Sequence, residues 1–250
     1  MPAILDIAGI RKAFAGIVAL DDVALTIAQP GIYGLIGPNG AGKTTLFDVI
    51  CGRQLADSGT IRLAGERIEA LRVHRRARLG ISRTFQECRV LLEETCLDNV
   101  LFAAQDKRLA AELAQCASRS TRARDVMLAE ARRLLALVNL DAYADRPASA
   151  LSYGQRRLLE IVSVLMTKPR ILLLDEPASG VNPTLLVTLR DFLRRLYDER
   201  QIVFLVVEHN MEFIMSLASH IVVMHQGRVL AQGAPAEVQA SPQVIEAYLG

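Results

Sequence analysis

The chain has no tryptophan, and aromatic residues make up only 5% of it. Base-stacking platforms for nucleic acid are therefore not expected. Its four cysteines, Cys51, Cys88, Cys96 and Cys116, form no C-x-x-C pair and lie near no histidine cluster, so no zinc site is expected. Free thiols in a mid-sized chain suit a reducing cytosol. Neither charge dominates: 29 basic against 27 acidic side chains leave a net +2, too little to argue for nucleic acid. Long apolar runs are absent too. Stretches such as Ile202 to Val207 fall far short of the roughly 20 residues that span a bilayer. The opening Met-Pro-Ala-Ile-Leu-Asp has no basic region followed by an apolar run, so no signal peptide is expected. No internal repeat or low-complexity segment is found. What remains is an ordinary globular balance, 51% hydrophobic and 22% charged over 250 residues. That is enough for one sizeable core, or one core plus a small lobe.

The pattern along the chain is mixed. Ile4 to Ile10 alternates weakly and reads as an edge strand, with Val23 to Ile27 as a second. Gly31 to Ile36 is a short apolar strand running into a glycine-rich loop, and Thr44 to Cys51 reads as a helix stopped by Gly52. Thr60 to Leu63 and Gly80 to Thr84 are further strand candidates. From Leu97 to Leu140 the chain is rich in Ala, Leu and Arg, without glycine, and predicts two or three helices in a separate lobe. Asp145-Arg146-Pro147 breaks that pattern. Gln155 to Met166 and Thr184 to Glu199 are helical, while Arg170 to Leu174 and Ile202 to Val207 read as strands covered on both faces. A short helix at Glu212 to Ala218, a hairpin of Ile221 to Met224 with Val229 to Ala231 around Gly227, and a helix ending at Leu249 close the chain. The sum is an α/β core interrupted by a helical insertion.

The chemistry starts at Gly37-Pro38-Asn39-Gly40-Ala41-Gly42-Lys43-Thr44, which fits G-x-x-x-x-G-K-[ST] between a strand and a helix. Glycines let the backbone wrap a phosphate, and the helix start adds its positive end. Lys43 is expected on the β- and γ-phosphates and the Thr44 hydroxyl on Mg²⁺. Downstream, Ile171 to Leu174 lead into Asp175-Glu176. An apolar strand can hold Asp175 beside the metal and leave Glu176 facing the attacking water. Between these motifs stands Leu151-Ser152-Tyr153-Gly154-Gln155, which combines a hydroxyl, a glycine and a helix start. A plain N-cap serine would read the same way on its own.

With that pentapeptide the sequence resembles the ABC ATPases, whose hallmark is LSGGQ, Tyr153 replacing the first glycine of the pair. The resemblance covers nearly the whole chain. It implies an α/β P-loop NTPase core with an inserted helical lobe and an N-terminal antiparallel β region. Residues 1–250 would form one ABC ATPase domain, 1–87 and 156–250 making the core and 88–155 the helical signature subdomain. It further implies that Gln86 of Thr84-Phe85-Gln86 senses Mg²⁺ and the attacking water, and that His209 of Glu208-His209 stands near the γ-phosphate. Phe14 falls where the family stacks an aromatic on adenine, though an ordinary core phenylalanine fits that position almost as well. The site so implied takes Glu176, His209 and Gln86 as catalytic. Phe14, Asn39, Gly40, Ala41, Gly42, Lys43, Thr44 and Thr45 would bind ATP; Ser152, Gly154 and Gln155 would meet a partner's ATP; Thr44, Gln86 and Asp175 would hold Mg²⁺. Asn182 stands where many members carry Asp, keeping an acceptor but losing the charge.

Arg83-Thr84-Phe85-Gln86, the signature, Glu176 to Pro183 and the closing Glu246 to Gly250 give a finer resemblance to ATPase subunits of branched-chain amino acid importers. That implies ATP and Mg²⁺ as cofactors, membrane permease subunits and a second ABC ATPase subunit as partners, and a substrate-binding protein as an indirect one. A peripheral place at the cytoplasmic face of the membrane follows. The alternatives are a soluble ABC ATPase without a permease, an exporter ATPase of the lipopolysaccharide type, and a non-hydrolysing regulatory module. The last is opposed by Lys43, Asp175, Glu176 and His209 together. Two basic clusters read more blandly: Arg72, Arg75, Arg76 and Arg78 as a solvated helix face, and Arg119, Arg122 and Arg124 as a loop between helices.

Overall fold

The computed structural model describes residues 2–84, 88–104 and 117–249. They divide into two compact units, the first made of Met1–Arg83, Arg170–Ala178 and Arg194–Gly250, the second of Thr84–Pro169 and Ser179–Leu193.

The first unit holds two sheets. Strands β1 (Leu5–Phe14), β2 (Ile17–Ile27), β4 (Ser58–Leu63) and β5 (Glu66–Arg67) form an antiparallel sheet in the order β2-β1-β4-β5. The other sheet contains β3 (Gly31–Ile36), β6 (Ile81–Arg83), β7 (Ile171–Asp175), β8 (Val203–Val207), β9 (His220–His225) and β10 (Arg228–Gly233), ordered β10-β9-β3-β8-β7-β6. All its pairings are parallel except the terminal β9–β10 hairpin. Every residue of β7 and β8 is buried, as unbroken apolar runs require in a sheet covered on both faces. Helix α1 (Lys43–Cys51) follows β3 and buries Leu46, Phe47, Val49 and Ile50 in one apolar cluster with residues of both sheets.

Two expectations need correcting here. The strand begun at Ile4 to Ile10 is no edge: β1 pairs with β2 on one side and β4 on the other, and β2 is the edge. Both strands also run much further than the alternation implied, meeting at a turn of Ala15 and Gly16. Register shifts between Ile7 and Ile10, Ile10 and Lys12, and Lys12 and Ala13 explain this. Each bulge resets which face a side chain takes, so the period-two signal fades while the pairing continues.

The basic cluster at 72–78 is the second correction. Helix α2 (Val73–Arg78) buries Arg76 almost completely, at 1% exposure. Its guanidinium donates to the carbonyls of Val49 at 2.6 Å and Ile50 at 2.9 Å, and to those of Leu71 and Glu69 at 2.8 Å. The first two are unsatisfied carbonyls in the last turn of α1, so Arg76 caps that helix against its dipole.

The second unit is helical: α3 (Cys96–Ala103), α4 (Ala117–Leu137) and α5 (Tyr153–Leu165), with the buried pair Arg157–Glu160 at 2.8 Å inside it. The Thr95 hydroxyl caps α3 by accepting from the Asp98 amide at 3.0 Å. Residues expected as a loop around Arg119, Arg122 and Arg124 lie on α4 instead. Arg, Ala and Ser in that stretch carry no breaker, and a solvated helix face looks like a loop when its apolar side is thin. Leu91, Leu92 and Phe102 of this unit are exposed. Helix α6 (Pro183–Arg200) begins behind Asn182, whose Oδ1 accepts from the Leu185 amide at 2.9 Å. Helices α7 (Met211–Leu217), α8 (Pro235–Gln239) and α9 (Pro242–Leu249) belong to the first unit. No helix among the described residues is long and apolar enough to cross a membrane.

Removing the Arg76 side chain leaves four carbonyls without their donor. Arg76→Ala should lower unfolding stability by about 3 kcal/mol, the scale of one charged buried hydrogen-bond donor. Chemical denaturation would measure it. A change within about 0.5 kcal/mol, the range of ordinary surface substitutions, would mean Arg76 is not the cap described.

Candidate functional site

Between β3 and α1 the backbone is pressed against its neighbours. A Cβ on Gly37, at φ 147°, would stand 2.1 Å from the Met224 carbonyl oxygen, and one on Gly42, at φ 98°, 2.5 Å from that of Ala19. Only glycine fits either place. The loop is pinned further by the Gly227 amide, which donates to the Ala41 carbonyl at 3.1 Å. Helix α1 starts from this loop with no side-chain cap, so its first amides are open to an anion.

Lys43 opens that helix and is 6% exposed. Its ammonium donates to the carbonyls of Gly37 at 2.7 Å and Pro38 at 2.9 Å, so the cation sits inside its own loop. Burial pulls the Lys43 pKa below its usual value, against the nearby carboxylates of Glu176 and Asp175, which push it up. Around it Asn39, Gly40 and Thr44 are exposed, Thr45 is half-buried and Ala41 buried. Phe14 closes β1 at 41% exposure, with the Lys12 ammonium 5.3 Å from its ring centre. It is no core residue.

The far wall comes from the ends of β7 and β8. Asp175 is the last residue of β7 and is 3% exposed. Arg83, ending β6, donates from Nη2 to Asp175 Oδ2 at 2.6 Å and from Nη1 to Asp48 Oδ1 at 2.5 Å. Burial works against the Arg83 charge, but its carboxylate partners, Asp175 first, outweigh this and raise its pKa. Glu176 turns out of the strand at φ 48°, a left-handed conformation costly for a residue with a side chain, and its amide donates to the Val207 carbonyl at 2.9 Å. His209 Nε2 lies 2.8 Å from Glu176 Oε1. The parallel sheet thus gathers Lys43, Asp175, Glu176 and His209 at the carboxyl ends of β3, β7 and β8, where open α/β sheets bind ligands.

Sequence reasoning passed over Glu208. It is 3% exposed, and its carboxylate accepts from three amides: Ala178 at 2.6 Å, His209 at 3.0 Å and Asn210 at 3.2 Å. Burial pushes its pKa up, while those amides pull it down. Glu208 therefore ties the segment after Glu176 to the segment carrying His209. The one signal in the sequence was a carboxylate directly after a fully apolar strand, where burial without partners would be prohibitive. Arg83 was quoted only as part of a motif, and its buried fork was not foreseen.

In the second unit, Ser152 caps α5. Its hydroxyl accepts from the Gln155 amide at 3.3 Å, and Gln155 Oε1 accepts from the Ser152 amide at 2.9 Å, a reciprocal capping box. Ser152 is exposed, whereas Gly154 is buried, with Leu185 Cδ1 2.9 Å from where its Cβ would stand. The Tyr153 ring lies 2.9 Å from the corresponding point on Gly180. Gln86 falls outside the described residues.

Fold and site together define a P-loop ATPase of the cassette class. Comparison with known proteins agrees. The family description "ABC transporter" matches residues 20–179, and "Branched-chain amino acid ATP-binding cassette transporter" matches residues 228–250. The chain is 41% identical over 250 residues to the high-affinity branched-chain amino acid transport ATP-binding protein BraF of Pseudomonas aeruginosa, covering 99% of this chain and 98% of that one. LivG of Escherichia coli, similarly described, is 38% identical with the same coverage. The sulfate/thiosulfate import protein CysA 1 of Chromobacterium violaceum is 36% identical over 95% of this chain and 63% of its own length. Among solved structures, the ADP conformation of MJ1267, an ATP-binding cassette of an ABC transporter, superposes with a TM-score of 0.83 at 30% identity, covering 100% of both chains. The chain belongs to the ABC transporter family as one of its ATP-binding, ATP-hydrolysing subunits.

Glu208→Gln keeps the volume but turns one accepting oxygen into a donor facing an amide. We expect about 2 kcal/mol less stability, the cost of a buried unsatisfied pair, and slower hydrolysis as His209 loses its anchor. Denaturation midpoints and steady-state ATPase rates check both. Wild-type values for the two would remove Glu208 from the site.

Proposed function

We propose that the chain drives import of a branched-chain amino acid, or a closely related organic solute, as the ATPase subunit of an ABC importer. The match at residues 228–250 carries this reading. Overall identity does not decide the cargo, because a sulfate importer subunit scores nearly as high. Cargo chemistry belongs to the membrane and binding subunits, so the cassette marks only the lineage of transporter it serves.

In this reading Phe14 stacks on adenine, while Asn39 to Thr45 wrap the phosphates. The Lys43 ammonium exchanges its two loop carbonyls for β- and γ-phosphate oxygens. Thr44 and Asp175 suit Mg²⁺ as hard oxygen donors. Among the described residues no cluster of three or more His, Cys, Asp or Glu could hold a metal alone. That fits Mg²⁺, which takes one or two protein oxygens and completes its shell with phosphate and water. Bound Mg²⁺ would neutralise charge on the phosphate oxygens. Glu176 polarises the attacking water, and His209, hydrogen-bonded to it, keeps that carboxylate oriented. Gln86 joins the metal and water in the same reading.

Ser152, Gly154 and Gln155, at the N-terminus of α5, cap the ATP of a second ABC ATPase subunit, related but different from this chain. The exposed Leu91, Leu92 and Phe102 suit an apolar permease surface. The protein then works at the cytoplasmic face of the membrane, held there by permease subunits, with a substrate-binding protein as an indirect partner.

Uptake of labelled leucine by cells lacking the chain, then supplied with wild type or Glu176→Gln, tests the proposal. Wild type should restore uptake. The variant should bind ATP but hydrolyse it about 10² to 10⁴ times more slowly, and restore none. Leucine, isoleucine and valine uptake unaffected by loss of the chain would overturn the cargo assignment, and near-normal turnover in Glu176→Gln would overturn the role of that carboxylate.

A further inference from the structure

The metal reading above needs two oxygens from distant parts of the chain, Thr44 on α1 and Asp175 at the end of β7, held at one spacing. Nothing in the motif itself fixes that spacing. We propose that Arg83 fixes it, as a positioning residue for the metal site; the inference rests on the assignment of Thr44 and Asp175 to Mg²⁺.

The argument is geometric. Arg83 is buried, with 7% of its side chain exposed. Its two terminal nitrogens hold two carboxylates, Asp175 Oδ2 at 2.6 Å and Asp48 Oδ1 at 2.5 Å. The guanidinium also lies 5.5 Å from the Phe47 ring centre, which limits its rotation. Its Nε is buried without a hydrogen-bond partner, so the side chain gives up one bond to keep the fork aimed at both acids. Asp48 lies four residues after Thr44 on α1, and positions i and i+4 share a helix face. The bridge from Asp48 through Arg83 to Asp175 therefore ties the strand's carboxylate to the helix face that carries the threonine.

Two consequences follow. The carboxylate of Asp175 is oriented by a rigid cation, since only a planar fork can serve two acids at fixed angles. A lysine there, a point charge on a flexible stem, would keep the charge and lose the spacing. Mg²⁺ demands near-ideal octahedral geometry, while Ca²⁺ tolerates a loose shell. Arg83 should therefore matter for Mg²⁺ far more than for Ca²⁺, a distinction that a merely structural residue would not produce.

The experiment follows a fluorescent ATP analogue binding to the full-length protein while Mg²⁺ or Ca²⁺ is titrated, with no turnover measured. In Arg83→Lys the Mg²⁺ concentration for half-maximal enhancement should rise about tenfold, the usual cost of losing a partner that orients a metal ligand. The Ca²⁺ midpoint should stay within about twofold, as expected for that ion's flexible shell. Binding in chelator should match wild type. Asp48→Asn, which leaves the Arg83–Asp175 pair intact, should move the Mg²⁺ midpoint in the same direction and serves if Arg83→Lys does not fold. Asp175→Asn separates the two layers of the argument. If it binds the analogue with wild-type metal dependence, the metal assignment falls and this inference with it. If it loses that dependence while Arg83→Lys and Asp48→Asn keep wild-type midpoints, or shift Mg²⁺ and Ca²⁺ equally, Arg83 does not set the spacing.

Discussion

The site depends on one buried cation. Lys43 begins a helix whose first amides are open, in a place too closed for its charge to be solvated. Its ammonium is satisfied by two carbonyls of the loop that delivers it. Carbonyls are weaker partners for a cation than phosphate oxygens, so the loop is folded and yet retains a use for an anion. The glycines at 37 and 42 follow from this constraint, because the loop can close around Lys43 only by pressing its backbone against Met224 and Ala19. The sheet supplies the opposite charges, as Asp175 and Glu176 face the cation from β7. Folding the strands in parallel order brings those charges to one edge, and hydrolysis needs little beyond holding them there.

A second layer of charged residues holds the first. Arg76 caps the end of the helix that Lys43 begins, Arg83 bridges that helix to Asp175, and Glu208 joins the segments after Glu176 and around His209. All three are buried and each is satisfied mainly by backbone or by an opposite charge, which is what makes a buried charge tolerable. They share a function: each joins two segments that meet only at the site. Glu176 in its left-handed conformation is the place where the surrounding structure must over-determine the backbone, and Glu208 supports the residues immediately after it.

Much of this could be read in the sequence. The phosphate loop was legible because its glycine spacing is dictated by backbone contact, and β7 and β8 because a fully covered strand has no polar face to disguise it. The helical insertion was legible from its composition. The supporting charges were not. Arg83 meets partners 35 and 92 residues away, and Arg76 reaches carbonyls 26 and 27 residues back, so no local pattern marks them. By local pattern Arg76 looked like one of four solvated arginines. The hairpin of β1 and β2 was underestimated because bulges reset the alternation by which strands are recognised. Asn182, which raised a question about charge, turned out to cap α6, a task that Asn performs as well as Asp.

The account turns on Lys43 and its loop, and nucleotide binding to Lys43→Ala tests it most directly. With Mg²⁺ present, the variant should remain folded by circular dichroism and lose most of its ATP affinity. Removing the one cation buried inside the loop leaves the phosphates facing only neutral donors and two carboxylates. An unchanged ATP dissociation constant in the folded variant would contradict the account.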